Sequence, residues 1–183
     1  MASLHQGIAD LLPTRLEFYE SWINPARMRN GRIGVAPVAA VLSFLRQEGR
    51  PYQLVSARAG EYTAEWTVAG LSRVHRAMLR SAPPSIRLRL IARVGRRMIR
   101  NTYRGGRVTV RWQEGRCAMD IRESIFCSVR DRVEQPLCEF YAAALRRLAS
   151  LFDLDVEVAA EQCRGTGAGH CVMTLRLRPG RAV

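Results

Sequence analysis

The chain contains no lysine. All 29 basic residues among its 183 are arginine, against 16 acidic ones, for a net charge of +13. An all-arginine basic set fits either the codon usage of a GC-rich genome or an anionic partner: nucleic acid, an anionic membrane, or a ligand with carboxylates. The planar guanidinium fork binds carboxylate and phosphate better than an ammonium does. There is no run of about 18 apolar residues, which excludes a transmembrane helix. Met1 to Asp10 has no basic stretch leading into an apolar one, which excludes a secretory signal peptide and points to the cytoplasm. There is no Ser-His-Asp order and no carboxylate pair, since Glu61, Glu65, Glu123 and Glu139 are scattered. This argues against catalysis. Internal repeats and long linkers are also missing. Histidine is scarce, with His5, His75 and His170. The five cysteines are an odd number without an export signal, so reduced thiols or metal ligands are expected rather than a disulfide framework.

The composition that is present belongs to a folded chain of one-domain size, with 48% hydrophobic and 25% charged residues. Residues 1–30 read as an N-terminal arm, with Leu11, Leu12, Leu16 and Phe18 in a short helix or an extended stretch packing on the body; residues 31–183 read as a single domain. Between Gly31 and Gly49, Val38, Val41, Leu42 and Leu45 recur at helical spacing, with Pro37 near the start and Gly49 at the cap position. Tyr52, Leu54 and Val55 read as a short strand. Residues 60–80 read as a second helix with Trp66, Val74, Met78 and Leu79 inward. Ala82-Pro83-Pro84 is a break. From Ser85, read as an N-cap, to Tyr103 runs a basic helix. Its apolar face is Ile91, Val94, Met98 and Ile99, and Arg87, Arg89, Arg93, Arg96, Arg97 and Arg100 cover much of the rest. The period then drops to two, and Arg107 to Asp120 read as a hairpin turning at Glu114-Gly115. Pro136 opens a helix to Phe152 with Tyr141, Leu145 and Leu148 on its stripe. Two strands follow, ending at Cys163 and starting at Cys171. Gly165 to Gly169 look like a phosphate loop in letters only, because a strand follows instead of a helix, so they are read as a tight turn. The order of elements predicts an α+β fold, helices packed on an antiparallel sheet.

Three thiols are placed to converge. Cys163 and Cys171 flank a hairpin turn, and Cys138 sits in the first turn of a helix, where free N–H groups and the dipole lower a thiol pKa. Zinc in a closed site wants a fourth ligand; Cys127, Cys117, Glu123 and His170 are the candidates, and Cys127 completes the expected set. The alternative is that these cysteines are small buried apolar residues.

The segments Glu123-Ser-Ile-Phe126, Pro136-Leu-Cys-Glu-Phe140, Val156 to Cys163 and Gly167-Ala-Gly-His-Cys171 resemble the C-terminal half of the 4-vinyl reductase domain family over residues 105–178. The resemblance implies a fold of the TRAPP-subunit and haem–nitric-oxide-binding-like ligand-binding superfamily, often a homodimer, and a bacterial source. It implies a structural zinc on cysteines, with Cys138, Cys163 and Cys171 at matching positions. It also implies a hydrophobic small-molecule ligand, either aromatic or tetrapyrrole. The expected ligand wall is Val41, Phe44, Leu45, Tyr141 and Leu145 from the helices at 35–48 and 137–152, with Arg97 and its neighbours rimming it for a carboxylated ligand. His75 is a candidate haem or bacteriochlorophyll ligand, although a surface histidine is the simpler reading. A nucleic-acid partner is not expected, because the basic helix lacks interleaved aromatics and any known motif. The leading expectation is a stand-alone ligand-binding domain that works through a partner. The alternatives are an enzyme or accessory protein of (bacterio)chlorophyll metabolism, and a TRAPP-like protein–protein adaptor.

Overall fold

The computed structural model describes residues 2–23, 34–103, 106–113 and 115–178. Its elements in chain order are α1 (Ala2–Leu11), a 3-10 turn (Pro13–Arg15), α2 (Leu16–Glu20), α3 (Val35–Gln47), α4 (Arg50–Ala69), α5 (Arg73–Ser81) and α6 (Pro84–Thr102). Then come β1 (Arg107–Gln113), β2 (Arg116–Arg122), α7 (Glu139–Ser150), β3 (Val156–Gln162), a 3-10 turn (Arg164–Thr166) and β4 (Cys171–Leu177). The four strands form one antiparallel sheet in the order β1-β2-β4-β3. The α+β architecture expected from the order of periods is therefore present. Among the described residues, no helix is long and apolar enough to cross a membrane.

The inner sheet face carries Cys117, Met119, Ile121, Met173 and Leu175, all buried. Register explains this: Cys117 pairs with Leu175 and Met119 with Met173, so alternate residues of β2 and β4 share that face. Helices α6 and α7 pack on the sheet, α6 over β1, β2 and β4 and α7 over β3, and α7 buries Tyr141, Leu145 and Leu148 completely. Burying side chains of this size stabilises by about 1.5–3 kcal/mol each. The other side of α7 lies against α4. At Gly60 the two helices meet backbone to backbone, since a Cβ there would stand 2.2 Å from the Phe140 carbonyl oxygen.

Three expectations are corrected. Tyr52, Leu54 and Val55 are not a strand. Pro51 occupies the first turn of α4, where its missing N–H costs nothing, and Tyr52, Val55, Ser56 and Ala59 are buried at helical spacing. The helix expected over 60–80 is two helices, broken at Gly70-Leu71-Ser72, because Ser72 caps α5 by accepting from the His75 N–H at 3.3 Å. Of its supposed inward residues only Leu79 is buried; Trp66, Val74 and Met78 are exposed. Helix α6 starts at Pro84 after Pro83 and has no side-chain cap, so Ser85 is not the N-cap. Residues 2–23, read as an arm, form α1, a 3-10 turn and α2 and pack on the body. Leu4, Ile8, Tyr19 and Ile23 are core residues, while Leu11 and Phe18 are exposed. Gly7 brings α1 onto α4, with a Cβ position 3.0 Å from the Val55 carbonyl oxygen. The rest of the expected arm, residues 24–30, lies outside the described residues, as do Gly105 and Glu114 of the expected turns.

Candidate metal centre and ligand cleft

Cys127, Cys138, Cys163 and Cys171 come together from four separate pieces of chain. Their sulfurs all lie within 4.8 Å of one another and all four residues are buried. Each is placed by its local backbone. Cys127 lies in the irregular segment between β2 and α7. There its N–H donates to the Ser124 hydroxyl at 3.2 Å, and that hydroxyl also meets the buried Tyr141 hydroxyl at 2.9 Å. The preceding carbonyl, of Phe126, accepts from the Tyr52 hydroxyl and from an Arg46 guanidinium N–H, both at 2.9 Å. Stacking of Phe126 on Phe140, with ring centroids 4.0 Å apart, ties the segment to α7. Cys138 is the residue that caps α7, and its carbonyl accepts from Tyr141 and Ala142. Cys163 ends β3 and Cys171 opens β4, on either side of the turn in which Gly167 takes φ 102°.

The backbone aims N–H groups at two of these sulfurs. Cys163 Sγ accepts from Leu137 and Gly165, each at 3.3 Å, and Cys171 Sγ accepts from Arg164 at 3.4 Å. Gly165 can do this because it packs beneath Leu137, whose Cδ1 would be 3.0 Å from a Cβ. Hydrogen bonds donated by the Cys127, Cys138 and Cys171 thiols, and then by the Leu137 amide, hold Cys163 far below the ordinary thiol range. Those from Cys127 and Cys138, with the Arg164 amide, lower Cys171. The other two thiols are shifted the opposite way. Cys138 is pushed up by its contact with Cys127, by Cys163 and Cys171, and by burial. For Cys127 the contact with Cys138 lowers the pKa, but Cys163, Cys171 and burial outweigh it and the thiol is raised. The lowered Cys138 expected from its helix start is thus reversed, because neighbouring sulfurs at contact distance exceed a helix-end effect worth about 1 kcal/mol.

Four thiols sharing protons in a dry pocket form a donor set that a divalent soft cation satisfies better than protons can. A tetrahedral zinc with Zn–S bonds near 2.3 Å needs sulfurs about 3.8 Å apart. The Cys127–Cys138 separation is 3.4 Å, and no pair exceeds 4.8 Å. The four residues fit a structural four-cysteine site and could hold a metal ion. Of the other candidates for a fourth ligand, Cys117 stands apart on the inner sheet face with its thiol raised to about 12 by burial. Glu123 is exposed, and His170 lies 3.7 Å from Asp120.

Residues 117–177 match the vinyl-4-reductase (V-4-R) domain family. That segment, about a third of the chain, contains all four clustered cysteines, and it upholds the resemblance to the 4-vinyl reductase domain family read from the same residues. No curated protein sequence matches the chain. Among solved structures, the chain is similar to an H-NOX protein from K. algicida at 12% identity and a TM-score of 0.60, covering 100% of this chain and 96% of that one. It is similar to trafficking protein particle complex subunit 3 from Naegleria fowleri, covalently bound to palmitic acid, at 14% identity and 0.54, covering 89% and 92%. It is also similar to the phenol-responsive sensory domain of the transcription activator PoxR with phenol, at 15% identity and 0.51, covering 79% and 74%. At these identities the likeness is one of fold, and it places this chain, with its vinyl-4-reductase segment, in the fold shared by H-NOX proteins and TRAPP subunits.

A ligand-sized opening among the described residues lies outside the family-matched segment. A cleft of about 670 Å³ lies between the end of α4, α5 and α6, walled by Trp66, Leu71, Met78, Leu90 and Val94, with His75, Arg93 and Arg97 among its polar residues. Of the wall expected from the sequence, only Arg97 borders this cleft. Val41, Leu45, Tyr141 and Leu145 are fully buried core residues. Phe44 packs on Phe18 and Trp22, with centroids 5.5 and 5.7 Å away. Helix α4 packs against both the helix at 35–48 and that at 137–152. The cleft had a sequence signal of its own: Trp66 and Met78 are large apolar residues that the fold leaves exposed beside a row of arginines.

Proposed function

We propose that this chain is a small-molecule-binding domain, braced by a zinc ion on Cys127, Cys138, Cys163 and Cys171, that takes a hydrophobic ligand in the cleft between α4, α5 and α6. The observation that carries the reading is the closure of four buried sulfurs to within 4.8 Å. The zinc is structural, because four protein ligands leave no open position for substrate. It ties the segment after β2, the start of α7 and the β3–β4 turn to one point. The cleft supports the ligand half of the reading through its size, which falls in the range of small-molecule sites, and its mainly apolar wall. Free thiols throughout fit a reducing compartment such as the cytoplasm.

Metal analysis of the purified protein, with titration of the cleft by an apolar fluorescent probe, tests both halves. One zinc per chain and saturable one-site binding are expected. A stably folded metal-free protein would remove the zinc, and non-saturable binding would remove the ligand. One observation favours a finer reading in which the ligand is a tetrapyrrole. His75 borders the cleft, and its Nδ1 is engaged by the Ser72 hydroxyl at 2.8 Å, which leaves Nε2 as the nitrogen to offer a bound metal. Titration with a metalloporphyrin should then shift the absorbance maximum, and His75→Ala should abolish the shift. An unshifted spectrum in the unaltered protein would rule this out.

A further inference from the structure

Helix α6 carries Arg93, Arg96, Arg97 and Arg100 in two rows at i, i+4 spacing, and its sequence from Pro84 to Thr102 has no acidic residue. Like charges at this spacing destabilise a helix by about 0.2–0.5 kcal/mol per pair. Several other arginines are answered. Arg58 pairs with Asp10 and Glu61, Arg111 with Asp120, and Arg147 with Glu65. Arg87, on the same helix, donates to the carbonyls of Arg80, Ala82 and Phe152. Among the described residues, no carboxylate and no side-chain hydrogen bond answers the four later arginines. They and Asn101 line a second hollow of about 450 Å³. Arg93, Arg97 and Asn101 belong to both hollows, so the apolar cleft opens directly onto the arginine cluster, and no acidic residue lines either space.

We infer that the ligand of the cleft is an amphiphilic anion, whose apolar body lies against Trp66, Leu71, Met78, Leu90 and Val94 and whose oxyanion head, carboxylate or phosphate, is taken by Arg93 and Arg97. This rests on the proposed ligand role of the cleft and names the class of molecule. Two guanidinium groups one turn apart present fork donors to a single oxyanion, and a charge-assisted contact of this kind is about twice as strong as a neutral one. A bound anion relieves the repulsion among the four arginines. Arg96 and Arg100 stand further out and supply long-range attraction, so binding weakens as salt rises.

The test holds the apolar body constant and varies the head. Methyl 1-naphthoate, 1-naphthoate and 1-naphthyl phosphate compete with 8-anilinonaphthalene-1-sulfonate for the full chain. At least one of the two anions should bind ten-fold or more tighter than the neutral ester, and the tighter of them identifies the head as carboxylate or phosphate. In R93Q/R97Q, whose altered side chains are exposed so that the fold is kept, that advantage should vanish while the ester affinity stays. Equal affinity for ester and anions, or an anion advantage that survives R93Q/R97Q, overturns the inference and leaves the cleft a neutral hydrophobic site. Failure of all three to bind overturns the inference together with the ligand role beneath it.

Discussion

At the cysteine centre every group that matters is buried and answered: sulfurs by one another and by backbone amides, the Phe126 carbonyl by Tyr52 and Arg46, and Ser124 by Tyr141. Along α6 the opposite holds, with four guanidinium groups exposed and unanswered beside a cleft whose Trp66 and Met78 face water. The first region is a closed donor set that could hold a metal ion. The second is an open surface. A helix that repels itself and apolar residues left in solvent both weaken the free protein, as the binding role proposed for the cleft would require.

Cys163→Ser should separate the regions most sharply. Removing one ligand of a closed metal site is expected to lower stability by more than about 4 kcal/mol and to abolish stoichiometric zinc; thermal unfolding and metal content measure both. Gly60→Ala strikes the wall between the regions. A Cβ at 2.2 Å from the Phe140 oxygen forces α4 and α7 apart, at a cost of about 1–3 kcal/mol; unfolding in urea reads it, with zinc content unchanged. Alkaline pH tests how dry the core is. Burial raises Cys117, Tyr52 and Tyr103 to about 12 in each case, whereas in the unfolded chain a thiol ionises near 8.5 and a phenol near 10. The native state therefore holds these protons longer. Their contribution is complete below about pH 8.5 and is lost as pH rises toward 12, so the urea midpoint should fall across that window. Ser72→Ala should have the smallest effect, about 1 kcal/mol from a lost cap. It should loosen α5 and weaken probe binding in the cleft with no change in zinc.

The same contrast explains what the sequence disclosed. The cysteine centre was legible because hairpin and helix starts are local signals: Cys163 and Cys171 across a turn, and Cys138 after Pro136. The fourth sulfur, Cys127, lies in an irregular segment whose position depends on tertiary hydrogen bonds from Tyr52 and Arg46, so spacing alone left it among several candidates. The β1–β2 and β3–β4 pairings and the α7 stripe were legible by period. Helix α4 was misread because Tyr52, Leu54 and Val55 suit a strand locally, and only packing on α1 and α7 decides for helix. The cleft between α4, α5 and α6 was not legible because apolar residues at helical spacing look alike whether they form a core or a wall. Val41 and Leu145 went inward, whereas Trp66 and Met78 did not.

The direct measurement is elemental analysis of the protein purified without affinity metal or chelator, paired with its melting temperature before and after a strong chelator. The account predicts one zinc per chain and a marked drop in melting temperature when the ion is withdrawn. A folded protein free of metal, melting at the same temperature with and without the chelator, would contradict it.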